Sequence, residues 1–302
     1  MTDSRRLVDK LDSFRNLLRD DGVGVLDYIE QLTYLLFLKM AHERSTRKLK
    51  PEQIVPDEYS WQRLLDAEGV DLEVEYTKIL VGLANQPGTL GVIFRKAQNR
   101  IQDPAKLKRL IVDLIDKEHW SASGTDRKGD AYEQLLAKGA SDKGSGAGQY
   151  FTPRDLIQAI VDVVQPSAND SVIDPACGTG GFLLVAHDYA SRDAEHLTPI
   201  QRDRLRDDFA HGTELVDGTA RLAAMNLLLH GIGTSLIDVR DALIADSGDR
   251  FSVVLSNPPF GRKSSMTMIG ADGRESKEDT EIERADFVTT TSNKQLNFVQ
   301  HI

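Results

Sequence analysis

Residues 171–186 read "SVIDPACGTGGFLLVA", and the fold turns on how they are parsed. A short apolar run ends in Asp174, glycines follow at Gly178, Gly180 and Gly181, and an apolar helical segment begins at once. Strand, glycine-rich turn, helix is the opening unit of a doubly wound sheet, where ligands lie beyond the carboxyl ends of the strands. Glycines allow backbone to pass close to a ligand. The spacing departs from the dinucleotide fingerprint G-x-G-x-x-G, because Leu183 stands where the third glycine belongs, and no Gly-Lys-Ser/Thr of a phosphate-binding loop is present. A ligand lacking a pyrophosphate suits such a loop. A tight strand-to-helix turn with no ligand explains it too.

Downstream, short apolar runs alternate with helical stretches: "DFAHGTEL" (208–215) precedes "VDGTARLAAMNLLLHG" (216–231), and "TSLIDVRDAL" (234–243) and "FSVVLSNPP" (251–259) follow. Strands alternating with helices predict βαβ units and a parallel sheet. Glu214 closes the second run, where an acid usually accepts from ribose hydroxyls, although a lone strand-end Glu is often just solvated. The intervening "SRDAEHLTPIQRDRLRDD" (191–208) reads as an inserted helical connection. Asp241 holds the comparable place after the third run; it suits an exocyclic amine, or equally an N-cap for a helix starting at Ala242. The polar residues 262–294 read as a loop.

Upstream, "GQYFTPRDLIQAIVDVVQP" (148–166) predicts a helix with Thr152 as N-cap, Pro153 at its first position and Asp155 at its positive end. Its face Leu156, Ile157, Ile160, Val161 and Val164 is expected to dock on the sheet. Tyr150 and Phe151 are either a hydrophobic staple or the wall of a cofactor site. Before them, "KGASDKGSGAGQ" (138–149) reads as a flexible Gly/Ser-rich connection. Residues 1–138 carry only helical periodicity. Leu26, Ile29, Leu32, Leu36 and Met40 mark one buried helical face, and Leu107, Leu110, Ile111, Leu114 and Ile115 mark another after Asp103-Pro104. The expected organisation is a helical domain over 1–138, a linker over 139–149 and an α/β domain over 150–302.

Asn257-Pro258-Pro259-Phe260 ends the last apolar run. Neither proline can donate to a ladder, and Pro258 holds Asn257 extended. The motif either terminates a strand or builds a rigid receptor: the Asn257 side-chain oxygen and the Pro258 carbonyl accept from one NH₂, and Phe260 offers a flat face for the ring that bears it. Two acceptors on an aromatic amine favour its pyramidal, charge-developing transition state over the planar ground state. No covalent nucleophile or metal is needed for that chemistry.

Bulk composition bears on partners. Lys+Arg 37 against Asp+Glu 47 gives a net charge of −10, unlike a chain that grips nucleic acid unaided. The apolar run Tyr34–Leu38 stops at Lys39, far short of a spanning helix, and the N-terminus lacks a secretory pattern. One cysteine excludes an internal disulfide, no Cys/His metal spacing is present, and a cytoplasmic location with no membrane association is expected.

"DPACGTGGF" (174–182) with "SNPPF" (256–260), preceded by "GQYFTPR" (148–154), resembles the N6-adenine DNA methyltransferases, and more narrowly the modification (M) subunit of type I restriction–modification systems. The likeness extends through "DAYEQLL" (130–136), "GTELVDGTARLAAMNLLLHGI" (212–232) and "TSNKQLNFVQHI" (291–302), and the helical N-terminus matches that family's N-terminal domain. The resemblance implies an all-α N-terminal domain followed by a Rossmann-like methyltransferase domain that uses S-adenosylmethionine. It implies that Gln149, Tyr150, Phe151, Thr152, Pro153 and Arg154 line the cofactor pocket with Gly178, Thr179, Gly180 and Gly181. Glu214 would hold the ribose, Asp174 would lie near the methionine end and Asp241 near the adenine. Asn257, Pro258, Pro259 and Phe260 would take a target adenine flipped from double-stranded DNA.

The implied partners are a specificity (S) subunit that reads the DNA, a restriction (R) subunit and a second copy of the chain. A partner that supplies the grip reconciles an acidic chain with a DNA substrate. In this family the core continues beyond the motif at Asn257, so the 302 residues are expected to be C-terminally truncated, with an unpaired sheet edge. Two alternatives accompany this reading: a non-catalytic remnant that binds cofactor or partner, and a protein-glutamine methyltransferase, since the receptor suits any planar NH₂.

Overall fold

The computed structural model describes residues 3–48, 51–120, 129, 131–137, 152–193, 195–233, 237–259, 265–269, 275–279 and 281–302. The chain divides into two compact units, Met1–Phe151 with Asp217–Ser235, and Thr152–Val216 with Leu236–Ile302. The linker expected at 139–149 lies outside the described residues. Residues 217–235, expected within the α/β domain, cluster with the N-terminal helices, so the chain leaves the second unit after Val216 and re-enters it at Leu236.

The first unit is helical. Its central element, Val25–Ser45, is buried on nearly every side: Tyr34, Leu35, Phe37 and Leu38 are as enclosed as Ile29, Leu32, Leu36 and Met40. The expected single face is therefore too narrow, and Leu26, assigned to it, is 38% exposed. A helix apolar all round is a core helix, wrapped by neighbours on all sides.

The buried Gln31, Thr33 and Lys39 of this helix have hydrogen-bond partners. Lys39 Nζ bonds Asp116 Oδ1 at 2.7 Å, an oxygen that also accepts from Trp61 Nε1 at 2.9 Å. Gln31 donates to the Gln98 carbonyl at 2.9 Å and accepts from Tyr76. The second predicted helix begins with Asp103 capping Ala105 N and Pro104 in the first turn. It runs into a π-helical turn at Leu110–Ile115, where all four named apolar residues are fully buried.

The helix Asp217–Leu229 belongs to this unit through Arg221, 3% exposed. Its guanidinium pairs with Glu30 at 2.6 Å and bonds the Ile93 and Arg95 carbonyls at 2.5 and 2.6 Å.

The second unit carries the predicted parallel sheet. Strands β1 (Val172–Asp174), β2 (Ala210–Glu214), β3 (Ile237–Val239) and β4 (Val253–Val254) lie in the order β3-β2-β1-β4, every pair parallel. The register sets Asp174 beside Gly212 and Glu214 beside Val239, so the strands end along one edge. Among the described residues β4 is an outer strand, with both valines half-buried. The inserted connection between β1 and β2 contains the helix Pro199–Asp207, opened by a Thr198/Gln201 capping box.

Three local expectations need correction. The helix after Thr152 runs Arg154–Val164 with Pro153 at the cap, extended at φ −56° and ψ 133°, and Thr152 does not cap it. Only Ile157 and Val161 of its expected face are buried; Leu156 is 51% and Val164 42% exposed. The packing is narrower because the helix meets the helix Gly181–Ala190, where a Cβ on Gly181 would come within 3.1 Å of Ile157.

Residues 262–294 are also more than a loop. Strands β5 (Ser265–Ile269) and β6 (Glu275–Asp279) pair antiparallel, and Ile282 bridges Thr291. Ile282, Phe287 and the helix residue Phe298 then pack on Ala242, Leu243 and Ala176.

Candidate functional site at the carboxyl edge of the sheet

The site assembles where β1, β2, β3 and β4 end. After Asp174 the chain makes a tight turn in which Gly178 (φ +55°) and Gly180 (φ +83°) occupy the left-handed region that favours glycine. Gly180 N bonds the Cys177 carbonyl at 2.8 Å, and Gly180 then caps the helix Gly181–Ala190. Cys177 N bonds the Thr213 carbonyl at 3.0 Å, clamping the loop to β2. The Cys177 thiol packs over Gly212, where a Cβ would lie only 2.9 Å from Sγ, and burial pushes its pKa upward. This cysteine is part of the packing between the loop and β2.

Glu214 faces the glycine loop. Its Oε2 accepts from Gly178 N at 3.1 Å and its Oε1 from Val216 N at 2.8 Å. Burial raises its pKa, opposed by those backbone N–H groups. A carboxylate has about four lone-pair positions, so the backbone N–H groups of Gly178, Leu215 and Val216 do not exhaust Glu214. A loop free of side chains at two positions, beside an acceptor suited to a diol, fits a nucleoside with no pyrophosphate.

Asp241 accepts from Leu243 N at 2.9 Å. It therefore caps a turn over 242–244, and no helix begins at Ala242. That turn is held from outside by Arg284, whose guanidinium donates to the Ala242 carbonyl at 3.3 Å and pairs with Asp286.

Asp174, expected near the methionine end of a cofactor, is enclosed at the end of β1. It is 1% exposed, and its Oδ1 accepts from Ser256 Oγ at 2.7 Å and from Ala176 N at 3.0 Å. Burial pushes its pKa up to about 7, the two hydrogen bonds opposing and Glu214 adding to the rise.

Asn257 follows Ser256, and its Nδ2 donates to Thr152 Oγ1 at 2.9 Å. Thr152, freed from capping, thus spends its hydroxyl on the motif. With the amide nitrogen engaged, Oδ1 is the edge of Asn257 left to accept from an amine. Pro258 and Pro259 follow, half-buried. Arg154 pairs loosely with Asp188 at 3.6 Å. Gln149, Tyr150, Phe151 and Phe260 lie outside the described residues, and Thr179 sits within the glycine loop.

Sequence reasoning missed Ser256 and Arg284. A hydroxyl immediately before Asn257 was the only signal for the first; an arginine in a polar stretch carries no comparable signal for the second.

Comparison with known proteins agrees with this architecture. The N-6 DNA Methylase family matches residues 123–302 and the HsdM N-terminal domain matches residues 7–114. The type I restriction enzyme EcoKI methylase subunit of Escherichia coli (strain K12) is 37% identical, over 98% of this chain and 55% of that protein. The StySJI methylase subunit of Salmonella typhimurium shows the same identity and coverage. The chain thus spans about 55% of the length of these relatives. A solved chain from work on complex assembly and conformational transition of the type I R-M system superposes with a TM-score of 0.77, at 25% identity, covering 100% of this chain and 62% of that one. No described helix is long and apolar enough to cross a membrane.

Proposed function

This chain belongs to the N-6 DNA methylase family, and from that membership we propose that it forms part of a type I modification subunit that methylates adenine N6 in DNA. The observation that carries the reading is the Asn257 Nδ2 bond to Thr152, which leaves Oδ1 to accept at the same sheet edge as the glycine loop and Glu214.

S-adenosylmethionine is the proposed cofactor; when bound it supplies a methyl group activated on a sulfonium. Gly178, Thr179, Gly180 and Gly181 would border it, Glu214 would accept from its ribose hydroxyls, and Asp241 would face its adenine. Gln149 to Arg154 would complete the pocket.

The chain's own contribution is positioning. Asn257 Oδ1 and the Pro258 carbonyl accept the two N–H bonds of the target amine, which draws electron density toward nitrogen as it pyramidalises. Pro258 and Pro259 make the receptor stiff, so the amine is held in line at little entropic cost at the moment of reaction; such alignment removes roughly 7–11 kcal/mol of barrier. Phe260 stacks on the base extruded from the duplex.

The partners proposed are DNA, a specificity subunit that supplies sequence reading and basic grip, a restriction subunit, and a second copy of the chain. Such a substrate implies a cytoplasmic site of action. Transfer of label from methyl-labelled S-adenosylmethionine to DNA, in the presence of a specificity subunit, tests the reading. Label on DNA supports it; label on protein only, or none, counts against it.

A further inference from the structure

Among the described residues the last backbone bond to β1 comes just past β4, from Leu255 N to the Ile173 carbonyl at 3.0 Å. The sheet therefore stops holding the chain one residue before Ser256 and two before Asn257. Two side-chain bonds take over, and they pull from different elements. Ser256 Oγ reaches Asp174 Oδ1 at the end of β1, at 2.7 Å, and Asn257 Nδ2 reaches Thr152 Oγ1 ahead of the helix Arg154–Val164, at 2.9 Å. Asp174 is in turn fixed by Ala176 N at the start of the glycine loop. A carboxyl enclosed to 1% exposure has no room to swing, so the serine is tied to a rigid post.

Consecutive residues of an extended chain point to opposite sides. Anchoring Ser256 on one side thus sets the rotation that presents Asn257 on the other, and Pro258 restricts what remains. We propose that Ser256 is a positioning residue: through its bond to Asp174 it sets the rotation of Asn257 and links the cofactor loop to the amine receptor without touching either ligand. This inference rests on the methyltransferase reading above. It differs from the pocket-lining role expected for Asp174, since it makes that carboxyl act through Ser256 on the receptor.

The test is Ser256→Ala and Ser256→Thr in the full chain, assayed with a specificity subunit and DNA beside calorimetry with S-adenosylmethionine. Ser256→Ala is expected to lower kcat about 10- to 100-fold, the size of effect that a misplacement near 1 Å produces. The cofactor dissociation constant should stay unchanged, and Ser256→Thr, which keeps the hydroxyl, should restore turnover. Wild-type kcat in Ser256→Ala would overturn the proposal, as would weakened cofactor binding with normal kcat at saturation.

A second measurement does not depend on turnover, so a failure of the methyltransferase reading itself is told apart from a failure of this one. In a crystal structure of Ser256→Ala, loss of the Asn257–Thr152 bond supports the positioning role. An Asn257 side chain left in place contradicts it.

Discussion

Asn257 and Thr152, 105 positions apart in sequence, are joined by a 2.9 Å hydrogen bond from Nδ2 to Oγ1. The bond spends an amide donor on the protein and leaves Oδ1 as acceptor, the polarity that the proposed amine receptor requires.

Thr152→Val keeps the shape of Thr152 and removes the acceptor. Asn257 then turns freely, and methyl transfer at saturating S-adenosylmethionine is expected to fall about 10- to 100-fold. Transfer at the wild-type rate under saturation would show that the bond does not orient Asn257.

Gly180→Ala places a Cβ at φ +83°. The left-handed conformation costs a non-glycine residue roughly 1–2 kcal/mol, so the denaturant midpoint should drop by that equivalent. Cofactor affinity should drop with it, because the strain falls on the loop itself.

Glu214→Gln leaves one carbonyl oxygen to serve Gly178 N and Val216 N, and sets an NH₂ against whichever is unserved. Loss of a charged acceptor is worth roughly 1.5–3 kcal/mol. Calorimetry should show cofactor affinity falling about 10- to 100-fold, with DNA affinity unaffected.

Asp174 gives a pH signature. Its carboxyl, raised by burial from 3.8 to about 7, binds more protons folded than unfolded between those values. The stability it contributes is therefore full below pH 3.8 and is lost as pH rises through 7, on the order of 4 kcal/mol across the window. Asp174→Asn keeps an acceptor for Ser256 and removes the titration. Denaturant midpoints measured from pH 4 to 8 should fall less steeply in the variant; equal slopes would show that Asp174 titrates normally.

Much of this site was legible because each strand end is marked locally. Asp174, Glu214, Asp241 and Asn257 each close a short apolar run before a polar or glycine-bearing turn, and parallel strands carry such ends to one edge. What stayed hidden depends on partners distant in the chain. A Thr before Pro reads as an N-cap whether or not an Asn takes its hydroxyl, and here the Asn takes it. The helix Asp217–Leu229 shows the same 3.6-residue period whichever unit it packs in; the buried Arg221, with acceptors at Glu30, Ile93 and Arg95, decides that it joins the N-terminal helices. In the helix Val25–Ser45 the spacing of Ile29, Leu32, Leu36 and Met40 marks one face, while Tyr34, Leu35, Phe37 and Leu38 bury the others.

The most direct measurement digests DNA after reaction with methyl-labelled S-adenosylmethionine and identifies the labelled nucleoside by mass spectrometry, for the wild-type chain and for Asn257→Ala with a specificity subunit. The account predicts label in N6-methyladenine for the wild type and its loss in Asn257→Ala at unchanged cofactor affinity. Label in a cytosine product, or an Asn257→Ala chain that methylates adenine as fast as the wild type, would contradict it.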